Sequence, residues 1–108
     1  MRVSNRKAIS YLMNKRDFDQ VWLKAHTKFH DLVYSTEGNY KALDIFNLWD
    51  GIGLHDNSVY FLQLKTNAWP KEQPIIDWCT KYNAKAMAIN VKLINDEPEE
   101  WDVWIREY

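Results

Sequence analysis

Cysteine is almost absent from this chain: Cys79 stands alone among 108 residues. That excludes an intramolecular disulfide and any multi-cysteine zinc site, and it fits a reducing, cytoplasmic setting. Glycine is scarce too, with three in the chain. Gly51-x-Gly53 lacks the third glycine and the strand-to-helix context of a phosphate-cradling loop, which removes nucleotide-dependent chemistry. Long hydrophobic runs are missing: Val59 to Leu62 and Ala86 to Ile89 are among the longest, against the roughly 20 residues a bilayer requires. No apolar stretch follows the basic N-terminus, so neither a signal peptide nor a membrane partner is expected. Excess charge of one sign is also lacking. A net charge of -1 argues against a chain that coats nucleic acid non-specifically.

What is present is a chain of one-domain length, residues 1–108, with 46% apolar and 27% charged residues, enough to bury a core without staples. Aromatics are abundant, with six Trp, six Tyr and four Phe; such residues fill cores, anchor interfaces and stack on bases. The charges are unevenly spread. Arg2, Arg6, Lys7, Lys15, Arg16, Lys24 and Lys28 dominate the N-terminal part, opposed by Asp17 and Asp19, whereas Asp96 to Tyr108 is acidic apart from Arg106. A basic face, if the protein has one, belongs near the N-terminus.

Periodicity orders the elements. Ser4 as N-cap and Ala8, Ile9, Leu12 and Met13 at helical spacing predict a short amphipathic helix ending near Asn14. Gln20 to Ala25 alternates as a half-buried strand. Leu32 to Tyr34 is compatible with a strand, and Thr36-Glu37-Gly38-Asn39 signals a turn or loop. Ala42 to Leu54 leads through His55-Asp56-Asn57-Ser58 into a strand at Val59 to Lys65, predicting a β-hairpin. Trp69-Pro70-Lys71-Glu72-Gln73-Pro74 opens a second helix with Ile75, Ile76, Trp78, Cys79 and Tyr82 as its apolar face and Asn83 as its stop. Lys85 to Leu93 reads as a buried strand, Asn95 to Glu100 as an acidic loop, and Trp101 to Arg106 as a closing strand. This is an α/β chain with a mixed central sheet flanked by helices.

The chemistry gathers on the hairpin. Gln63 and Lys65 are two apart on one strand and share a face, with Leu62 and Leu64 on the other. If the turn is centred between Asp56 and Asn57, Gln63 faces Asp50 across the hairpin and Lys65 lies diagonal to it. A one-residue slip would send Asp50 to the opposite face. A carboxylate, an amide oxygen and an ammonium converging from paired strands suit a hard divalent cation that keeps most of its waters. Such a cation would polarise a scissile phosphate and lower the pKa of a bound water, with Lys65 orienting that water or stabilising the developing charge.

Asp50-Gly51 followed by Gln63-Leu64-Lys65 resembles the PD-(D/E)xK nuclease superfamily, in which an Asp precedes a short hairpin and an acid-x-Lys follows it. The resemblance spans about Ser4 to Leu93 and implies a restriction-endonuclease-like α-β-β-β-α-β core. In size the chain looks most like the Holliday-junction resolvases and the virus-type replication-repair (VRR) nucleases. DIFNLWDGIGL followed by YFLQLKT is similar to small phage-encoded proteins of the group. The resemblance implies metal-dependent phosphodiester hydrolysis of DNA, on branched or otherwise structured substrates, with magnesium (or manganese in its place) as cofactor and often a homodimer as the working unit. Asp50, Gln63 and Lys65 would be catalytic, and Asp50, Gln63 and Asp44 would hold the metal. The chain departs from the pattern at Gln63, which carries no charge where the family has an acid. The first helix also lacks an acid; Asp44, Glu37 or Glu72 could replace it, Asp44 best, since even spacing keeps it on the Asp50 face of an unbroken strand.

Around this site, Thr66, Trp69 and Lys71 are placed to touch nucleic acid, although Trp69 serves equally as core packing. His26 and His30 read as surface or loop residues, His55 as a solvent-exposed turn residue, Cys79 as inert packing, and Trp78 and Trp101 as core. The alternative function is a catalytically inactive nuclease-like fold that binds nucleic acid or protein. A third is an interaction module in which Trp22, Trp104 and Tyr108 form one exposed patch.

Overall fold

The structure is a computed structural model that describes residues 3–24, 32–34, 40–42 and 44–108, the segments 32–34 and 40–42 by their backbone alone. In chain order the elements are α1 (Val3–Lys15), β1 (Gln20–Leu23), β2 (Leu32–Tyr34), β3 (Tyr40–Ala42), β4 (Gly51–His55), β5 (Ser58–Thr66), α2 (Glu72–Tyr82), β6 (Lys85–Asp96) and β7 (Glu99–Glu107). Five strands form one mixed sheet in the order β1-β4-β5-β6-β7, while β2 and β3 pair separately. Among the described strands only β5 and β6 are parallel neighbours, and they are joined by the α2 crossover that a parallel pair requires.

Among the described residues, each face of the sheet carries one helix. On the α1 face, Ala8 and Leu12 of the helix meet Phe18, Leu23, Leu62, Met87, Ile89 and Val91 in an apolar layer. The spacing of Ala8 and Leu12 puts both on one helical stripe, which is why α1 lies flat on the sheet. Ser4 falls inside this helix rather than capping it, and is buried with Asn5. On the α2 face, Ile75 packs with Trp49, Ala86 and Ala88, surrounded by Phe61, Trp69, Trp78 and Cys79. The apolar face expected for α2 is only partly covered, because Ile76 is 38% and Tyr82 55% exposed. Asn83, in the left-handed conformation at φ 51°, ends the helix as expected.

Glycine has a steric task at two positions of β4. A Cβ on Gly53 would lie 2.6 Å from Cε2 of Phe18, and one on Gly51 would lie 2.1 Å from the carbonyl oxygen of Trp22. Phe18 thus rests directly on the strand, where it also stacks on His55 at 4.9 Å with 17° between the rings. His55 is therefore not a free turn residue. It is half-buried, with Nδ1 3.1 Å from the carbonyl oxygen of Asp17.

At the far edge, β6 runs on to Asp96 and pairs with β7 from Glu99 onward. The expected acidic loop is instead a tight reversal through a cis Glu97–Pro98 bond. Trp22 and Trp104 sit on the opposite edge strands β1 and β7, four strand spacings or about 19 Å apart. They do not form one patch with Tyr108, and that expectation is corrected. No helix among the described residues is long and apolar enough to cross a membrane.

Candidate active site

The position of the site follows from the turn. Asp56 and Asn57 have φ of 48° and 61°, the pair of left-handed residues that a two-residue hairpin of matching twist demands. They fix the register Gly51↔Leu62, Ile52↔Phe61 and Gly53↔Tyr60. One step further along this register sets Asp50 beside Gln63, as the sequence predicts. Here β4 leaves the regular ladder, and Asp50 is held on two sides. Its N–H donates to the carbonyl of Leu62 at 2.8 Å, and its carbonyl accepts from the N–H of Lys24 at 2.9 Å. Its carboxylate Oδ2 accepts the N–H of Leu64 at 2.7 Å. The side chain thus takes the place a backbone carbonyl of β4 would otherwise fill on β5, and its orientation is set by the sheet itself.

Gln63 shares the face of Phe61, which packs in the α2 layer, while Leu62 and Leu64 pack in the α1 layer. The expected division of the strand is therefore observed. Gln63 is half-buried, and its Oε1 is shielded from water with no hydrogen-bond partner. Lys65 follows on the same face, exposed, beside Asn90 of β6. Asn90 is 3% exposed, and its Oδ1 likewise has no partner. A buried acceptor without a donor costs roughly 1–3 kcal/mol, so two of them on neighbouring strands mark a place that structure alone does not favour. Asn90 was not among the sequence candidates. The signal was available, because an amide inside the apolar run KAMAINVKL is the kind of exception that needs a reason.

Asp44 differs from expectation. The chain does not run as an unbroken strand from Asp44 to Asp50: it turns at 45–49, closed by the Ile45–Trp49 bridge and by N–H groups of Leu48 and Trp49 on the Ile45 carbonyl. The even-spacing argument for its face therefore fails. Its carboxylate is paired with the ammonium of Lys24, a lysine only 4% exposed, whose carbonyl accepts the side-chain N–H of Asn5 at 2.9 Å. The pair stands directly behind the Asp50 backbone. Burial of a lysine unpaired is costly, and Asp44 answers that need.

Among the peripheral candidates, Thr66 is exposed at the end of β5, and Lys71 is exposed at the N-cap of α2 without a side-chain capping bond. Trp69 is half-buried against the α2 layer, one ring face covered by the Arg106 guanidinium 4.2 Å from its centroid. Glu72 accepts the Tyr108 hydroxyl at 2.7 Å; burial, and then this contact, push the Tyr108 hydroxyl above its ordinary pKa. Burial also pushes the Cys79 thiol up, in keeping with packing rather than reactivity. Trp78 and Trp101 are half-buried, whereas Trp49 is the tryptophan enclosed completely. His26, Lys28, His30 and Glu37 lie outside the described residues. Among the described residues no three His, Cys, Asp or Glu side chains gather as a metal-binding group. Compared with known proteins, the chain matches no family model, no curated protein and no solved structure.

Proposed function

We propose that the chain is a metal-dependent DNA endonuclease of the PD-(D/E)xK type, with Asp50, Gln63 and Lys65 as its catalytic residues. What supports this reading is the nearness in register of three groups where β4 begins on β5: a carboxylate fixed by the Leu64 N–H, a buried amide oxygen without a partner, and an exposed lysine next on the Gln63 face of β5. The order α1, β1, β4, β5, α2, β6, with β5 and β6 parallel, supports a restriction-endonuclease-like core, with β2, β3 and β7 as additions.

The donor set fits magnesium or manganese. Gln63 offers a desolvated oxygen that lacks a donor, and hard cations of this class accept amide oxygens alongside a single carboxylate. Asp50 and Gln63 would hold the ion; Asp44 could join them only by releasing Lys24. When bound, the ion supplies positive charge that polarises the phosphodiester and acidifies water. The chain's own residues do the rest. Asp50, held by Lys24 through its backbone and by β5 through backbone and side chain, would present its carboxylate to the cation without reorganisation. Lys65 orients the attacking water or offsets the charge that grows on the phosphoryl oxygens. Thr66 and Lys71 follow the motif strand and would bear on neighbouring phosphates. Magnesium-dependent nicking of supercoiled plasmid tests the reading: cleavage that disappears in chelator and in Asp50→Asn supports it, and cleavage equal in both proteins rejects it.

One observation favours the alternative of a nuclease-like fold that only binds. The described site holds one carboxylate beside Gln63, because the Asp44 carboxylate is engaged by Lys24. Binding of DNA without any magnesium-dependent cleavage would select that alternative.

A further inference from the structure

We propose that the aromatic groove beside Asp50 binds an unstacked nucleobase of the strand held at the site, an inference that rests on the nuclease reading and narrows its substrate to DNA with unpaired or displaced bases. Phe46, Phe61, Trp78, Tyr82 and Ala84 line a cavity of about 420 Å³ on the α2 face. Its rim faces water, with Phe46 66% and Tyr82 55% exposed. The rings of Phe46 and Trp78 lie 5.4 Å apart and within 28° of parallel, and Tyr82 follows 4.5 Å from Trp78. The rings pack on one another and leave the outer surfaces of Phe46 and Tyr82 exposed, and an exposed aromatic surface is what a base stacks on, whatever its sequence.

The backbone points the same way. Phe46 has φ 52°, a left-handed conformation that bulky residues rarely adopt. The Ile45–Trp49 bridge and the fully buried Trp49 hold the turn in place, so the strain displays the ring instead of burying it, as happens at ligand clamps. The same turn delivers Asp50. On β5, Phe61 lies two residues before Gln63 on the same face, about 6.6 Å along the strand, a span one nucleotide covers. Lys81 holds its Nζ 5.4 Å from the centroid of Tyr82, one of the lining rings, a cation for the phosphate of the stacked nucleotide. An apolar partner would use the rings but leave that charge without a role.

The test is fluorescence anisotropy of a labelled 12-nucleotide single strand and of its duplex, in chelator, with the full chain. The wild type is expected to prefer the single strand. Phe46→Ala and Phe46→Gly should weaken single-strand binding roughly ten- to a hundredfold, and Phe46→Trp should retain it. Phe46→Gly should unfold at or above the wild-type temperature, because glycine accepts the left-handed backbone, which separates loss of the ring from loss of the fold. Unchanged affinity in both truncations overturns the inference while leaving plasmid nicking, and with it the nuclease reading, intact. Absence of any oligonucleotide binding overturns it as well. So does a dimer, seen by light scattering, that Phe46→Ala dissociates without altering oligonucleotide affinity, since the groove would then belong to a second copy of the chain.

Discussion

The two faces of the central sheet are built to different rules. Under α1, the layer from Ala8 and Leu12 to Met87, Ile89 and Val91 is apolar and enclosed. Under and beside α2, aromatic rings replace aliphatic side chains, Phe46 and Tyr82 stay open to water, and among the described residues the buried atoms Trp49 Nε1, Gln63 Oε1, Trp78 Nε1 and Asn90 Oδ1 lack partners. A face selected for stability alone would fill its space and satisfy its donors and acceptors. The contrast gives one side of β5 the packing of a closed core and leaves the other, where the proposed site lies, open and incompletely satisfied, with Leu62 and Gln63, adjacent in sequence, on different sides.

Substitutions should divide along the same line. The largest effect falls on activity: Asp50→Asn, which keeps an oxygen for the Leu64 N–H, and Lys65→Ala should each lower magnesium-dependent plasmid nicking by at least about a hundredfold, with urea midpoints near wild type. Equal nicking rates would remove both residues from the reaction. Next comes stability. Leu12→Ala in the α1 layer should cost about 2–5 kcal/mol in urea unfolding, whereas Phe46→Ala across the sheet should stay within about 0.5 kcal/mol. A large loss from Phe46 would show that the aromatic groove is core and erase the distinction.

Much of this division was readable beforehand, and the reason is local. A two-residue turn at Asp56-Asn57 fixes register, and register with strict alternation fixes which of Leu62, Gln63, Leu64 and Lys65 share a face. The misreadings arise where tertiary contacts decide. Ile45 to Trp49 looks like strand because it is apolar, yet left-handed residues at Phe46 and Asn47 turn it, which moves Asp44 to Lys24. The Lys24–Asp44 pair and the His55–Phe18 stack join residues distant in sequence, and no spacing rule connects them. Trp22 and Trp104 were grouped by exposure, but the crossover through α2 separates their strands by the width of the sheet. The tight β6–β7 reversal was hidden by charge, since an acidic Pro-containing stretch has the composition of a loop.

A smaller effect concerns Cys79. Burial raises its thiol pKa, so at pH 8 the folded protein carries less thiolate than a free cysteine does, and alkylation by iodoacetamide should be slower than in the urea-unfolded chain. Equal rates would mean that the α2 layer opens freely around it.

The most direct test of the account is manganese titration by calorimetry on wild type, Gln63→Glu and Gln63→Leu, paired with urea unfolding of the same three proteins. A cation site at Asp50 and Gln63 requires Gln63→Glu to bind manganese at least about tenfold more tightly than wild type. It also requires Gln63→Leu to lose binding while gaining about 1 kcal/mol of stability from removal of the unpartnered acceptor. Three identical titrations would contradict it.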